Sequence, residues 1–140
     1  MTRHLMFFDD YPLEEENQIF NTQLKKAFRG TDINVLDEKT IPQLETSLKA
    51  RDYVAIILDV MSAFPEAPEL GAMAGIEILK RCRAGAYGQF NSQTLIFMRT
   101  ARGELHVKEL AFNLGCTDYF KVGSQDDKLL DALVKRLLSA

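Results

Sequence analysis

The sequence predicts an α/β domain built on a five-stranded parallel sheet, and three observations point to it. Strand and helix signals alternate five times along the chain, the pattern of a parallel sheet with helices on both faces. The strand signals are short apolar runs, as strands buried on both faces require. Two of these runs end abruptly in carboxylates: Leu5-Met6-Phe7-Phe8 in Asp9-Asp10, and Val54-Ala55-Ile56-Ile57-Leu58 in Asp59. In open α/β sheets the C-terminal edge of the strands is where ligands bind.

The first strand is expected over about Arg3 to Phe8. Pro12 opens a helix whose first turn, Glu14-Glu15-Glu16, suits the positive end of the helix dipole, and Phe20, Leu24, Ala27 and Phe28 follow at helical spacing. Ile33-Asn34-Val35-Leu36 is a short second strand. Thr40 and Gln43 can form a capping box for a helix buried through Ile41, Leu44 and Leu48. The third strand spans Tyr53 to Leu58. An irregular stretch, Met61 to Ala72, then carries Pro65, Pro68 and Gly71 and is the one long loop expected. Ile76, Leu79 and Cys82 mark a third helix, broken by Gly85 and Gly88. Thr94 to Met98 is the fourth strand. Leu105, Leu110, Ala111 and Leu114 mark a fourth helix that Gly115 terminates. Thr117 to Val122 is the fifth strand, and Ser124 with Asp127 caps a last helix facing inward through Leu130, Leu133, Val134 and Leu137.

Right-handed crossovers leave few topologies for such a (βα)5 chain, and the flavodoxin-like strand order 2-1-3-4-5 fits best. That order sets the ends of strands 1 and 3 side by side and joins Asp9, Asp10 and Asp59 into one cluster. Residues 1–140 are read as one domain, large enough for a full core. A net charge of −3 gives no sign of a nucleic-acid or anionic-membrane partner. No apolar segment approaches membrane-spanning length and no signal peptide is visible. Cys82 and Cys116 have no metal-ligand spacing and read as reduced thiols of a cytoplasmic protein.

Three carboxylates at one sheet edge repel one another, and a hard cation relieves the repulsion. Mg²⁺ prefers oxygen ligands and keeps several waters. Asp10 and Asp59 could supply two ligands and the Met61 backbone carbonyl a third. Asp59 is ionised at neutral pH and needs no general base to attack phosphorus. Thr100, at the end of the fourth strand, offers a hydroxyl donor to a phosphoryl group at the same edge.

Phe8-Asp9-Asp10-Tyr11-Pro12, Leu58-Asp59-Val60-Met61, Gly75-Ile76-Glu77-Ile78-Leu79-Lys80, Thr100-Ala101-Arg102 and Gly115-Cys116-Thr117-Asp118-Tyr119 occur in an order that resembles the receiver domain of two-component response regulators over nearly the whole chain. The resemblance implies that Asp9 and Asp10 bind Mg²⁺ and that Asp59 takes a phosphoryl group from a histidine kinase or histidine phosphotransfer protein. It gives Thr100 and Tyr119 the switch roles, and it places the output contact on the fourth helix, fifth strand and fifth helix. With the chain ending at that helix, output is expected through an unidentified protein partner, without direct DNA binding or a membrane. A homodimer is left open.

The family carries a Lys-Pro pair at the end of the fifth strand, where this chain has Phe120-Lys121-Val122-Gly123. If Gly115 and Tyr119 hold their family positions, Val122 takes the Lys place and Lys121 sits one residue early. Strand side chains alternate faces, so a regular strand would turn Lys121 away from the site, whereas a bulge would bring it in. A shifted register is the other alternative. Arg99 and Arg102 flank Thr100 as substitute phosphate partners or as solvated arginines, with Arg102 favoured by alternation. The stretch 62–72 reads as a lid, a specificity element or a tolerated insertion.

The Val122-Gly123 departure supports a second reading, a pseudo-receiver that binds proteins without phosphorylation. In either case the chain is not expected to be an enzyme beyond Mg²⁺-dependent self-phosphorylation and autodephosphorylation. A phosphohydrolase of the haloacid-dehalogenase type would need an acid at position 61, which is Met.

Overall fold

The computed structural model describes residues 1–10, 14–60, 73–101 and 104–139. Five strands, β1 (Arg3–Phe8), β2 (Ile33–Glu38), β3 (Ala55–Leu58), β4 (Leu95–Thr100) and β5 (Asp118–Lys121), form one sheet in the order β2-β1-β3-β4-β5. Every neighbouring pair is parallel. This is the doubly wound, flavodoxin-like order expected from the sequence. The helices are α1 (Glu15–Ala27), α2 (Ile41–Ala50), α3 (Ala74–Arg83), α4 (Gln89–Ser92), α5 (Leu105–Asn113) and α6 (Asp126–Leu138).

Side-chain alternation divides the core into two layers. Met6, Phe8, Ile56, Leu58, Ile96, Met98 and Tyr119 face the layer that α2, α3 and α5 cover with Leu44, Leu48, Ile78, Leu79 and Ala111. Leu5, Phe7, Ala55, Ile57, Phe97 and Phe120 face the layer covered by Phe20 and Leu24 of α1 and Leu129, Leu133 and Leu137 of α6. Among the described residues no helix is long and apolar enough to cross a membrane.

The structure moves several expected boundaries. β2 runs on to Glu38, because its pairing with β1 continues to Phe8↔Glu38. β3 starts at Ala55 rather than Tyr53, whose amide N–H donates to the Asn91 side-chain oxygen at 2.8 Å. Asn91 comes from α4, a single turn after Gly88 that the sequence reading missed. Its amide nitrogen donates to the carbonyls of Leu48, Arg51 and Tyr87, so one buried side chain ties α2, the segment leading into β3 and α4 together.

β4 starts one residue later than expected, at Leu95, and continues through Arg99 and Thr100, while β5 is confined to Asp118–Lys121. On α5 the buried residues are Val107 and Ala111, and Leu105 and Leu110 lie exposed, so part of the expected apolar face points outward. On α6 no side chain caps the N-terminus, and the buried line runs through Leu129, Leu133 and Leu137, with Leu130 and Val134 packed at its edge. The register of α6 is set by Asp126, whose carboxylate turns inward to meet Arg99. The expected cap of α2 is present, with Thr40 Oγ1 accepting from the Gln43 amide at 3.3 Å. The stretch 62–72 and Pro12 lie outside the described residues.

Candidate functional site

Register places the expected residues along one rim. Phe7 pairs with Ile57 and Leu58 with Met98, so Asp9 and Asp10 after β1, Asp59 after β3, and Thr100 at the end of β4 emerge at neighbouring strand ends. Lys121 closes β5 as the register partner of Thr100. Asp59 lies in a cleft of about 400 Å³ that is also lined by Glu14, Glu16, Asn17, Ala101, Lys121 and Val122. Three of those seven side chains are acidic and one is basic, so the cleft carries net negative charge. Asp9 and Asp10 are both 3% exposed, Thr100 is 1% exposed, and Tyr119 is packed within the α3/α5-side core. Met61 and Arg102 lie outside the described residues.

Gly75 fixes the backbone at Asp59. A β-carbon at position 75 would stand 1.5 Å from the Asp59 carbonyl oxygen and 3.0 Å from that of Val60. The Gly75 amide donates to the Val60 carbonyl at 2.9 Å. The start of α3 is thus pressed against the peptide that carries the central acid, an approach only glycine permits.

Asp9 is the electrostatically exposed point of the site. Its Oδ1 is buried with no hydrogen-bond partner. Its Oδ2 lies 3.8 Å from the Lys39 ammonium. Burial pushes the Asp9 carboxyl above its ordinary value; Asp37 adds to the rise, while Lys39, Arg99 and the Asn17 side chain oppose it. A buried carboxylate oxygen with an unmet lone pair fits a hard cation. Among the described residues no three acidic, histidine or cysteine side chains gather into a ready-made metal-holding group. A cation here would therefore rest on one or two carboxylates, a carbonyl and water, which is the habit of Mg²⁺.

The β5 ladder runs without a skipped residue from Phe97↔Asp118 to Thr100↔Lys121, so the bulge that would turn Lys121 inward is absent. Lys121 is exposed, and among the described residues it forms no ion pair with Asp59. The strand ends at once in a turn, where Gly123 takes φ +79°.

Arg99 does not offer a phosphate-binding cation. Its side chain is 4% exposed and lies on the α1/α6 side of the sheet. It donates through Nε and Nη2 to the Asp126 carboxylate at 2.8 and 3.0 Å, and through Nη1 to Asn17 Oδ1 at 2.6 Å. Its guanidinium also stands 4.3 Å from the centre of the Phe20 ring. Sequence reasoning treated Arg99 as a surface or phosphate-facing residue and did not single out Lys39, Asn91 or Asp126. The available signal was position: a charge inside the apolar run Ile96 to Thr100 of a central strand needs a buried partner.

No family model and no curated protein matches the sequence. Solved structures do match. A response regulator from Thermotoga maritima superposes with a TM-score of 0.67 at 21% identity, covering 100% of both chains. A putative response regulator from Chloroflexus aurantiacus gives 0.69 at 21% identity, again over 100% of each chain. A response regulator protein from Burkholderia pseudomallei, solved with a phosphorylated aspartic acid, calcium ion and citrate, gives 0.64 at 12% identity over 97% of this chain and 74% of that one. The strand order, the doubly wound layers and these superpositions together give the chain the CheY-like fold of response-regulator receiver domains.

Proposed function

We propose that the chain is a phosphoacceptor receiver domain of a two-component phosphorelay in the cytoplasm. A carboxylate oxygen of Asp59 attacks the phosphorus of a phosphohistidine on a histidine kinase or histidine phosphotransfer protein. The new bond is Asp59 O–P, and the bond broken is the P–N bond of the donor imidazole. The observation that carries this reading is Asp59 in an open cleft at the strand-order switch point, with the buried pair Asp9 and Asp10 at the end of the neighbouring strand β1. The phosphorylated aspartate and calcium ion of the Burkholderia pseudomallei protein, on the same fold, support it.

One or two of the carboxylates Asp9, Asp10 and Asp59, with the Met61 carbonyl, would hold Mg²⁺. Bound there, the ion supplies charge neutralisation between these carboxylates and the incoming phosphoryl oxygens. Thr100, placed at the end of β4, is the hydroxyl donor, and Tyr119 reports its position to the α5–β5–α6 surface. That surface contacts the output protein, with no direct DNA binding, no membrane contact and no turnover beyond self-phosphorylation and its reversal.

A second reading is a pseudo-receiver that binds its partner without phosphorylation. The unbulged end of β5, with Val122 where the resemblance asks for lysine, favours it. Incubation with a small phosphodonor and Mg²⁺, followed by intact mass, separates the two. The phosphoacceptor reading expects one phosphoryl adduct that Asp59→Asn abolishes; no adduct on the parent chain, or one that survives the substitution, overturns it.

A further inference from the structure

β2 delivers more than an edge strand to the site. Its register with β1 pairs Phe7 with Asp37 and Phe8 with Glu38, and the Asp9 amide donates to the Glu38 carbonyl at 2.8 Å. One further step along that register brings Lys39 beside Asp9. The Lys39 ammonium is gripped by Asp37 Oδ2 at 2.7 Å and stands 3.8 Å from Asp9 Oδ2. Asp37 is itself held from the other side by Lys25 of α1, at 3.4 Å from Oδ1. Lys39 is thus aimed across the end of the sheet at a carboxylate 3% exposed, whose other oxygen has no partner.

We infer that Lys39 is a tethered counter-cation of Asp9 that competes with a divalent ion for the acid site, so that metal affinity is set by exchange between the two. The inference rests on the reading of Asp9 and Asp10 as a metal-binding pair. Two cations cannot neutralise the same carboxylate without repelling each other, and the Lys39 side chain, 48% exposed, can swing outward while Asp37 keeps hold of it. No ion-pair partner other than Asp37 and Asp9 draws on Lys39 among the described residues.

The test is direct binding of Mg²⁺ by calorimetry, and of Mn²⁺ by its electron-spin resonance signal, in the parent chain, Lys39→Met and Lys49→Gln. Lys49 carries the same charge but sits near the far end of α2, about 12 Å along the helix from its start. The expected result is that Lys39→Met binds either ion about 1.5-fold to fivefold more tightly, the span of a half-exposed ion pair. Lys49→Gln should leave affinity unchanged within error. Equal or weaker binding by Lys39→Met, with the parent chain binding metal, overturns the role of Lys39 and leaves the metal site standing. No binding by any of the three chains overturns the metal reading, and the competition with it.

Discussion

Arg99 and Asp126 meet in a two-pronged ion pair, Nε to Oδ1 at 2.8 Å and Nη2 to Oδ2 at 3.0 Å, with the arginine side chain buried against Phe20. Removing one partner strands the other charge in the core. Asp126→Asn or Arg99→Met is therefore expected to cost about 3–5 kcal/mol in chemical denaturation, against a domain's usual total of about 5–15. The double variant Arg99→Met/Asp126→Leu should recover most of that loss, because no unpaired charge remains. A double variant as unstable as the sum of the singles would show that the pair contributes through packing alone.

Gly75 offers a harder constraint. Gly75→Ala places a methyl inside the contact distance of the Asp59 carbonyl, and the backbone of both residues must shift. The expectation is a loss of about 2 kcal/mol or more, together with a fall in phosphoryl adduct formation on Asp59. A folded, fully phosphorylatable Gly75→Ala chain would contradict it.

Asp9→Asn should stabilise the metal-free protein at neutral pH. The Asp9 carboxyl is held above its ordinary 3.8, chiefly by burial. The folded state therefore keeps a proton that the unfolded state has already released, and stability falls as pH rises from the unfolded value through the folded one. Above that window the buried charge is fully penalised. Asp9→Asn removes the penalty and is expected to add about 0.5–2 kcal/mol. At a pH below both values the gain should vanish, since the carboxyl is then neutral in both states. Thermal melts across pH, without divalent ions, check both halves.

Val122 and Lys121 both line the cleft that holds Asp59, and Lys121 forms no ion pair with it among the described residues. Val122→Lys introduces a cation there and should raise the initial rate of adduct formation by about tenfold, on the scale of one added charge stabilising a developing phosphoryl transition state. Lys121→Met should leave that rate close to the parent's. The opposite pattern would assign the catalytic cation to Lys121.

Cys82 and Cys116 are buried free thiols, each pushed up to about 11 by burial first. Thiolate is the reactive form, so neither should react with a disulfide reagent at neutral pH in the folded protein. Both should react once denaturant is added. Rapid labelling of the native chain would show that one of them becomes accessible.

The strand-helix alternation and the abrupt acidic ends of two apolar runs made the fold and the rim legible, because both depend on local pattern. Asp9, Asp10, Asp59 and Thr100 fell at neighbouring strand ends for that reason. Arg99 was misread because its partner, Asp126, lies 27 residues on in the chain and meets it only through the fold. Lys39 was overlooked because its importance comes from register with β1, not from any motif around it. α4 was missed because one turn of helix leaves almost no periodicity to detect, and two of the three carbonyls that Asn91 bonds, those of Leu48 and Arg51, lie 43 and 40 residues away. The outward-facing Leu105 and Leu110 were assigned to the core because apolar spacing alone cannot tell which side of a short helix faces the sheet.

The close approach of Gly75 touches the peptide of Asp59 and leaves its side chain alone. The helix behind the acid thus acts as a datum: chemistry at the carboxylate tip changes what lies in front of it without altering the distance from which it is measured. That spacing is held by a residue without a side chain, so it has no rotamer to adjust.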